Sequence, residues 1–315
     1  MRRRCASLGL SRVLALGGAL LLCVVNARAD GTPIPHGTLE LLAENQSIEA
    51  GHSAHLGLRF QLEKGWHIYW VNPGDSGEPP RVKWQLPPGV SVGEMEWPTP
   101  RRLGTSSIVD FGYEDEVMLL VPIHAEAAVA TQGLAQVSAE VKVLVCREMC
   151  IPGRAQLSLT MPVRSQPAVA NARTAEWFAA ARKALPQPAP ASWQISVIDA
   201  KDSFLLFANP GRHVTQVEFF PAAESQIKDA VPQQFIVMAG GFRLTLRKSD
   251  QLLKPIERLK GVLVLAGDRG YVIDVPVTAS KADAGGYGFS DRGHAGIVAA
   301  DSRPPSVVAA APMTH

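Results

Sequence analysis

The sequence predicts a mainly β protein: two β-sandwiches joined by a helix and a proline-rich linker. Three observations carry the reading. Apolar residues alternate with polar or small ones over many short runs, the period-2 signature of strands with one buried face. Turn-forming clusters separate the runs, notably Asn72-Pro73-Gly74-Asp75-Ser76-Gly77-Glu78-Pro79-Pro80, which argues for a sandwich or barrel over a parallel α/β sheet. One stretch, 171–185, carries helix start and stop signals instead.

The chain opens on a segment, 1–29, that reads as an export signal. Arg2, Arg3, Arg4 and Arg12 form its positive end, an apolar run from Val13 to Val25 follows, and Ala27-Arg28-Ala29 is a small-x-small cleavage site. The run is short of the roughly 20 residues that cross a bilayer.

The first sandwich is expected over 35–163. Ala54, Leu56, Leu58, Phe60 and Leu62 alternate with polar or small residues, and Trp66, Ile68 and Trp70 repeat the pattern. So do Val117, Leu119, Val121 and Ile123, then Val137, Ala139, Val141, Val143 and Val145, and finally Leu157, Leu159 and Met161. Residues 164–190 read as helix and linker. Asn171 can cap the helix, Glu176 suits its first turns, Lys183 its end, and Pro186 stops it. Pro186-Gln187-Pro188-Ala189-Pro190 then reads as a stiff spacer. A second sandwich is expected over 191–279, with hairpin signals at Gly240-Gly241 and Gly267-Asp268-Arg269-Gly270. Residues 280–315, rich in Ala, Gly, Pro and Ser, read as a disordered tail.

Export changes the charge. Five of the 31 basic residues (Arg2, Arg3, Arg4, Arg12, Arg28) and none of the 29 acidic ones lie in the signal, so the mature chain carries 26 against 29, a net of −3. That mildly acidic balance gives no footing for nucleic acid, whose binding rests on clustered Lys and Arg. The mature chain also has no long apolar stretch, so a soluble periplasmic protein is expected. Of four cysteines, Cys5 and Cys23 leave with the signal. An oxidising compartment then sees one close pair, Cys146 and Cys150.

In a continuous strand, positions four apart are separated by about 13 Å. A disulfide needs Cα atoms within roughly 4.4–6.8 Å. If the pair bonds, the chain must therefore turn back at Arg147-Glu148-Met149, with a strand arriving up to Val145, Pro152-Gly153 breaking regularity and a strand leaving from Ala155. Closing so small a ring contributes only about 2 kcal/mol, and an accessible bond at a hairpin tip has the properties of a labile one. Three uses stay open on spacing: a structural bond, a redox-active bond and a metal site. For the last, Cys146, Met149 and Cys150 are soft ligands suited to Cu(I). His52 and His55 form a separate His-x-x-His, and two thiolates alone fall short of a structural zinc set.

The stretch Gly65-Trp66-His67-Ile68-Tyr69-Trp70-Val71-Asn72 through Pro80, with Trp97-Pro98-Thr99-Pro100, Gly112-Tyr113, and Val145-Cys146 through Cys150-Ile151-Pro152, resembles the periplasmic N-terminal region of DsbD-like proteins. The resemblance is strongest to the branch called suppressor for copper sensitivity protein B (ScsB). Phe219-Phe220-Pro221 and Gly240-Gly241-Phe242 extend it, so that it covers most of 35–278. It implies immunoglobulin-like sandwiches and a role in thiol–disulfide exchange, with copper tolerance suggested by the branch name.

By position, Cys146 and Cys150 match the family's redox pair, which takes electrons from a membrane-embedded domain and passes them to periplasmic thioredoxin-fold proteins. The family shields that pair with an aromatic-bearing loop. Candidates here are Phe111, Tyr113, Trp66 and Trp70, together with the loop 72–80; plain core packing is the competing role. The three-residue spacing between the cysteines is shorter than in DsbD proper. Family members continue into a membrane domain and a thioredoxin-like domain that this sequence lacks. A separate membrane-embedded thiol reductant is therefore expected, with a periplasmic thioredoxin-fold partner and no cofactor. The alternative is a non-catalytic periplasmic module that binds copper or a redox partner and holds a structural disulfide.

Overall fold

The computed structural model describes residues 31–104, 107–129, 133–266 and 270–280. The expected signal, the tail from 281 onward and residues 267–269 of the second hairpin lie outside these. The described chain is mainly β, arranged in three sheets with one α-helix.

Two sheets build the first sandwich. One runs in the order Thr32–Ile34, Gly37–Ala43, Ser53–Leu62, Glu116–Ala125, Val90–Val92. The other runs Ile48–Glu49, Cys150–Arg164, Leu134–Cys146, His67–Gly74, Val109–Glu114, Arg101–Gly104, with Arg81–Gln85 also paired to Leu134–Cys146. The alternating residues do what their period requires: Leu56, Leu58, Phe60, Leu119, Val121, Val137, Val141 and Val145 are fully buried in one apolar cluster between the sheets.

The third sheet closes a second core. Gly270–Ala279 pairs with Arg258–Leu265 through residues 270–276, then passes to Ser196–Ala200 through Val277, Thr278 and Ala279. By changing partners partway, this strand folds the sheet over Phe204, Leu206, Phe219, Leu244, Leu246 and Leu263. Phe220 points the other way. It joins the first core, edge-on to Phe111 at 5.1 Å and to Trp70 at 6.4 Å.

The helix is shorter than expected, Ala175–Ala184. Asn171 instead closes a turn, its Oδ1 accepting the Arg173 N–H, and Thr174 stands at the N-cap with its hydroxyl donated to the Ala43 carbonyl. Leu185 is extended ahead of Pro186, as a residue before proline must be. Phe178 and Ala181 seat the helix on Met118 and Leu120. Gly57 leaves space beneath it, since a Cβ there would lie 3.2 Å from Phe178 Cζ and 2.7 Å from the Met118 sulfur.

Three expectations shift. The spacer is not free: Gln187 and Pro188 pair with Tyr271 and Val272. The hairpin expected at Gly240-Gly241 turns on Ala239 and Gly240, with Gly241 already in the strand opposite Met238. Pro152-Gly153 does not interrupt its strand, which runs from Cys150 to Arg164. At Pro152 that strand is paired only with Leu134–Cys146, and such an edge position is where a sheet tolerates proline.

Candidate functional site

Leu134–Cys146 and Cys150–Arg164 form one long hairpin whose last register pair is Cys146 with Cys150. The turn is Arg147-Glu148-Met149, closed by the Arg147 N–H donating to the Met149 carbonyl. The two cysteines are joined as a disulfide, with Cα atoms 4.1 Å apart. Their surroundings differ sharply. Cys146 is 2% exposed, whereas Cys150 is exposed.

The neighbouring strand supplies the rest. His67 is the register partner of Cys146, and Tyr69, two residues on, brings its hydroxyl to 3.3 Å from Cys150 Sγ. A disulfide sulfur has no proton to give, so the phenol donates. Tyr69 is fully buried, and burial raises its pKa above the ordinary phenol value. His67 stands edge-on to Tyr69 at 5.2 Å, with Nε2 3.8 Å from Asp110 Oδ2. Burial lowers the His67 pKa, with Asp110 and Glu114 opposing, and burial raises that of Asp110, with Ser76 and His67 opposing.

The loop after His67–Gly74 lies over this group. Ser76 Oγ donates to Asp110 Oδ1 at 2.8 Å, and the Val109 N–H donates to Asp75 Oδ2 at 2.9 Å. Gly77, at φ +80°, sits on the Tyr69 ring so closely that a Cβ would fall 2.1 Å from Cζ. On the other side of the tip, the Arg147 guanidinium lies 5.1 Å from the centre of the Trp66 ring. Trp66 is stacked on His36 at 3.7 Å, and His36 Nδ1 is 2.8 Å from Glu63 Oε2.

Of the aromatic candidates, Trp66 therefore lies at the hairpin tip. Phe111 packs on Phe220, Trp70 faces the same ring, and Tyr113 is buried with its hydroxyl donated to the Pro98 carbonyl at 2.7 Å. These three are core residues, and Trp66 belongs to the same buried cluster. Met149 is 68% exposed and both cysteine sulfurs are engaged in the disulfide, so the Cu(I) set is not assembled in this form. His52 and His55 face different carboxylates, Glu49 and Glu44, and no cluster of three metal-binding side chains occurs among the described residues.

Tyr69, His67 and Asp110 escaped sequence reasoning. The signal was there in the strand's alternation. With Trp66, Ile68 and Trp70 facing the core, His67 and Tyr69 face away, yet both are buried. A bulky pair hidden on the outward face of a strand marks something covering it.

Residues 38–162 match the family described as thiol:disulfide interchange protein DsbD, N-terminal. Among curated proteins, none matches the sequence. Among solved structures, the N-terminal periplasmic domain of ScsB from Proteus mirabilis is similar, at 18% identity over 76% of this chain and 92% of that one, with a TM-score of 0.55. The periplasmic chaperone SfaE matches at 11% identity over 77% of this chain and 100% of that one, TM-score 0.22. No helix among the described residues is long and apolar enough to cross a membrane. The fold, the hairpin disulfide and the family match agree: residues 38–162 match the DsbD N-terminal family, and the likeness to the ScsB domain is one of fold.

Proposed function

We propose that this protein is a periplasmic thiol–disulfide interchange module. It takes two electrons from a separate membrane-embedded thiol reductant and passes them to a thioredoxin-fold partner through Cys146 and Cys150. The observation that carries the reading is the asymmetry of the pair: Cys150 is exposed at a hairpin tip with a phenol on its sulfur, and Cys146 is buried behind it.

The chemistry follows from access. A reductant thiolate attacks Cys150 Sγ, the Cys146–Cys150 bond breaks, and Cys146 leaves as a thiolate that takes up a proton. The reductant's second thiol then attacks the mixed disulfide, releasing Cys150 reduced and the reductant oxidised. Toward the partner the steps reverse: the Cys150 thiolate attacks the partner's disulfide and Cys146 resolves the adduct. Two electrons and two protons move in each exchange.

The test is trapping. Cys146→Ser leaves the exposed thiol to attack and nothing to resolve, so it should accumulate a mixed disulfide with a thioredoxin-fold partner in periplasmic extracts. Cys150→Ser should trap far less, because its remaining thiol is buried. Absence of adducts from both variants overturns the proposal and leaves a structural bond.

A further inference from the structure

The loop that covers Tyr69 is held from outside its own sandwich. Asn72 is fully buried, and its Nδ2 donates across the chain to the Pro221 carbonyl at 2.8 Å and the Ala223 carbonyl at 3.3 Å. Its Oδ1 meanwhile accepts the Gly74 N–H at 3.0 Å. One amide thus ties the second β region to the start of the loop. Only an amide does both jobs, since the donors and the acceptor lie on one planar group.

The loop is then fixed in steps. Gly74 takes φ +89°, with a Cβ there lying 2.4 Å from the Val109 carbonyl. Asp75 and Ser76 are bonded to Val109 and Asp110, and Gly77 closes on the Tyr69 ring. A second tie runs beside the first: Arg102 donates to Glu218 Oε1 at 2.6 Å and to the Asp229 carbonyl at 2.7 Å. The path from Pro221 to Cys150 is continuous through Asn72, the loop and Tyr69.

We infer that the second β region sets the reactivity of the redox pair, with Asn72 as a positioning residue that holds the loop on Tyr69 and so keeps the phenol on Cys150. This rests on the exchange reading only for its purpose; the physical link stands without it. A donated hydrogen bond stabilises a thiolate, so releasing the loop raises the pKa of Cys150.

The experiment measures the Cys150 pKa in the Cys146→Ser protein, from thiolate absorbance and alkylation rate against pH. Adding Asn72→Ala should raise it by about one unit, as should Asn72→Asp, which keeps size but loses both donors. Combined with Tyr69→Phe, Asn72→Ala should add nothing further, because it acts through the phenol. Leu206→Val, a change in the second core away from the loop, controls for general destabilisation and should leave the pKa alone. Should Asn72→Ala not fold, Gly77→Ala displaces the loop from the Tyr69 ring directly and should give the same shift. An unchanged pKa in the loop variants, or a shift that persists in full on the Tyr69→Phe background, overturns the inference. Partner trapping by Cys146→Ser reports separately: an adduct with no pKa shift sinks this link alone, and a shift with no adduct sinks only the exchange reading.

Discussion

The Tyr69 hydroxyl lies 3.3 Å from Cys150 Sγ, on the exposed member of a disulfide whose other half is buried. In the oxidised protein the phenol donates to a neutral sulfur. On reduction the same donor faces a thiol or thiolate, and a bond to the charged form is the stronger of the two. The contact therefore favours the charged, reactive state of Cys150.

Tyr69→Phe should separate that effect from packing. The ring that Gly77 rests on is kept, so stability should fall by about 1 kcal/mol or less. The pKa of Cys150, read in the Cys146→Ser protein, should rise by about one unit or more. Thiolate absorbance against pH is the measurement, and superimposable titrations would show that the bond is lost on reduction.

Replacing both cysteines with serine should leave the fold intact. The ring is small and contributes about 2 kcal/mol, while the hairpin it closes is already paired from Leu134 opposite Pro162 to Val145 opposite Ile151. Urea unfolding should show that modest loss with an unchanged m-value. A loss beyond about 4 kcal/mol would favour a structural bond.

Asp229 supplies a pH dependence. It is 5% exposed, its Oδ1 has no hydrogen-bond partner among the described residues, and burial first, then Asp75, push its pKa up to about 7 against the opposing Arg102. In the unfolded chain it titrates near the ordinary 3.8. Between those values the folded state holds the extra proton, so stability falls as pH rises from about 4 to about 7 and is level above. The cost at pH 8 is at most about 4 kcal/mol. Asp229→Asn should remove the slope in that window and raise the melting temperature at pH 8. Parallel stability profiles for the two proteins would refute the assignment.

Phe220→Ala should cost about 3–5 kcal/mol. Its ring is 2% exposed, belongs to a strand of the third sheet, and packs into the first core on Phe111 and Trp70. Because it bridges the two cores, the variant should unfold in two calorimetric steps where the parent shows closer coupling. A single step with little loss of stability would mean the bridge is carried elsewhere.

Much of this was legible in the residues. Leu56, Leu58 and Phe60, or Val137, Val141 and Val145, announce strands because a period of two leaves them one buried face. The return of the chain between Cys146 and Cys150 follows from the reach of a strand against the reach of a disulfide. The helix starts later than its sequence signals suggest because Asn171 and Thr174 both suit a cap. A contact 131 residues away, Thr174 to Ala43, decides how the second one is used. Pro152 looked like a break because a sequence does not say which strand edge is free.

The sequence by itself determined the β class, the hairpin at the cysteines and, through its motifs, the match of 38–162 to the DsbD N-terminal family, since each depends on local periodicity, chain geometry or residue order. Only the tertiary structure decided that Cys150 is the exposed residue of the pair and Cys146 the buried one, that Tyr69 reaches Cys150, and that Phe111, Tyr113 and Trp70 serve the core. Those facts depend on which groups from distant segments exclude water from a given atom. The Asn72 tie is the clearest case: its partners lie 149 and 151 residues on, and burial obliges the Asn72 amide and the Pro221 carbonyl to find partners there.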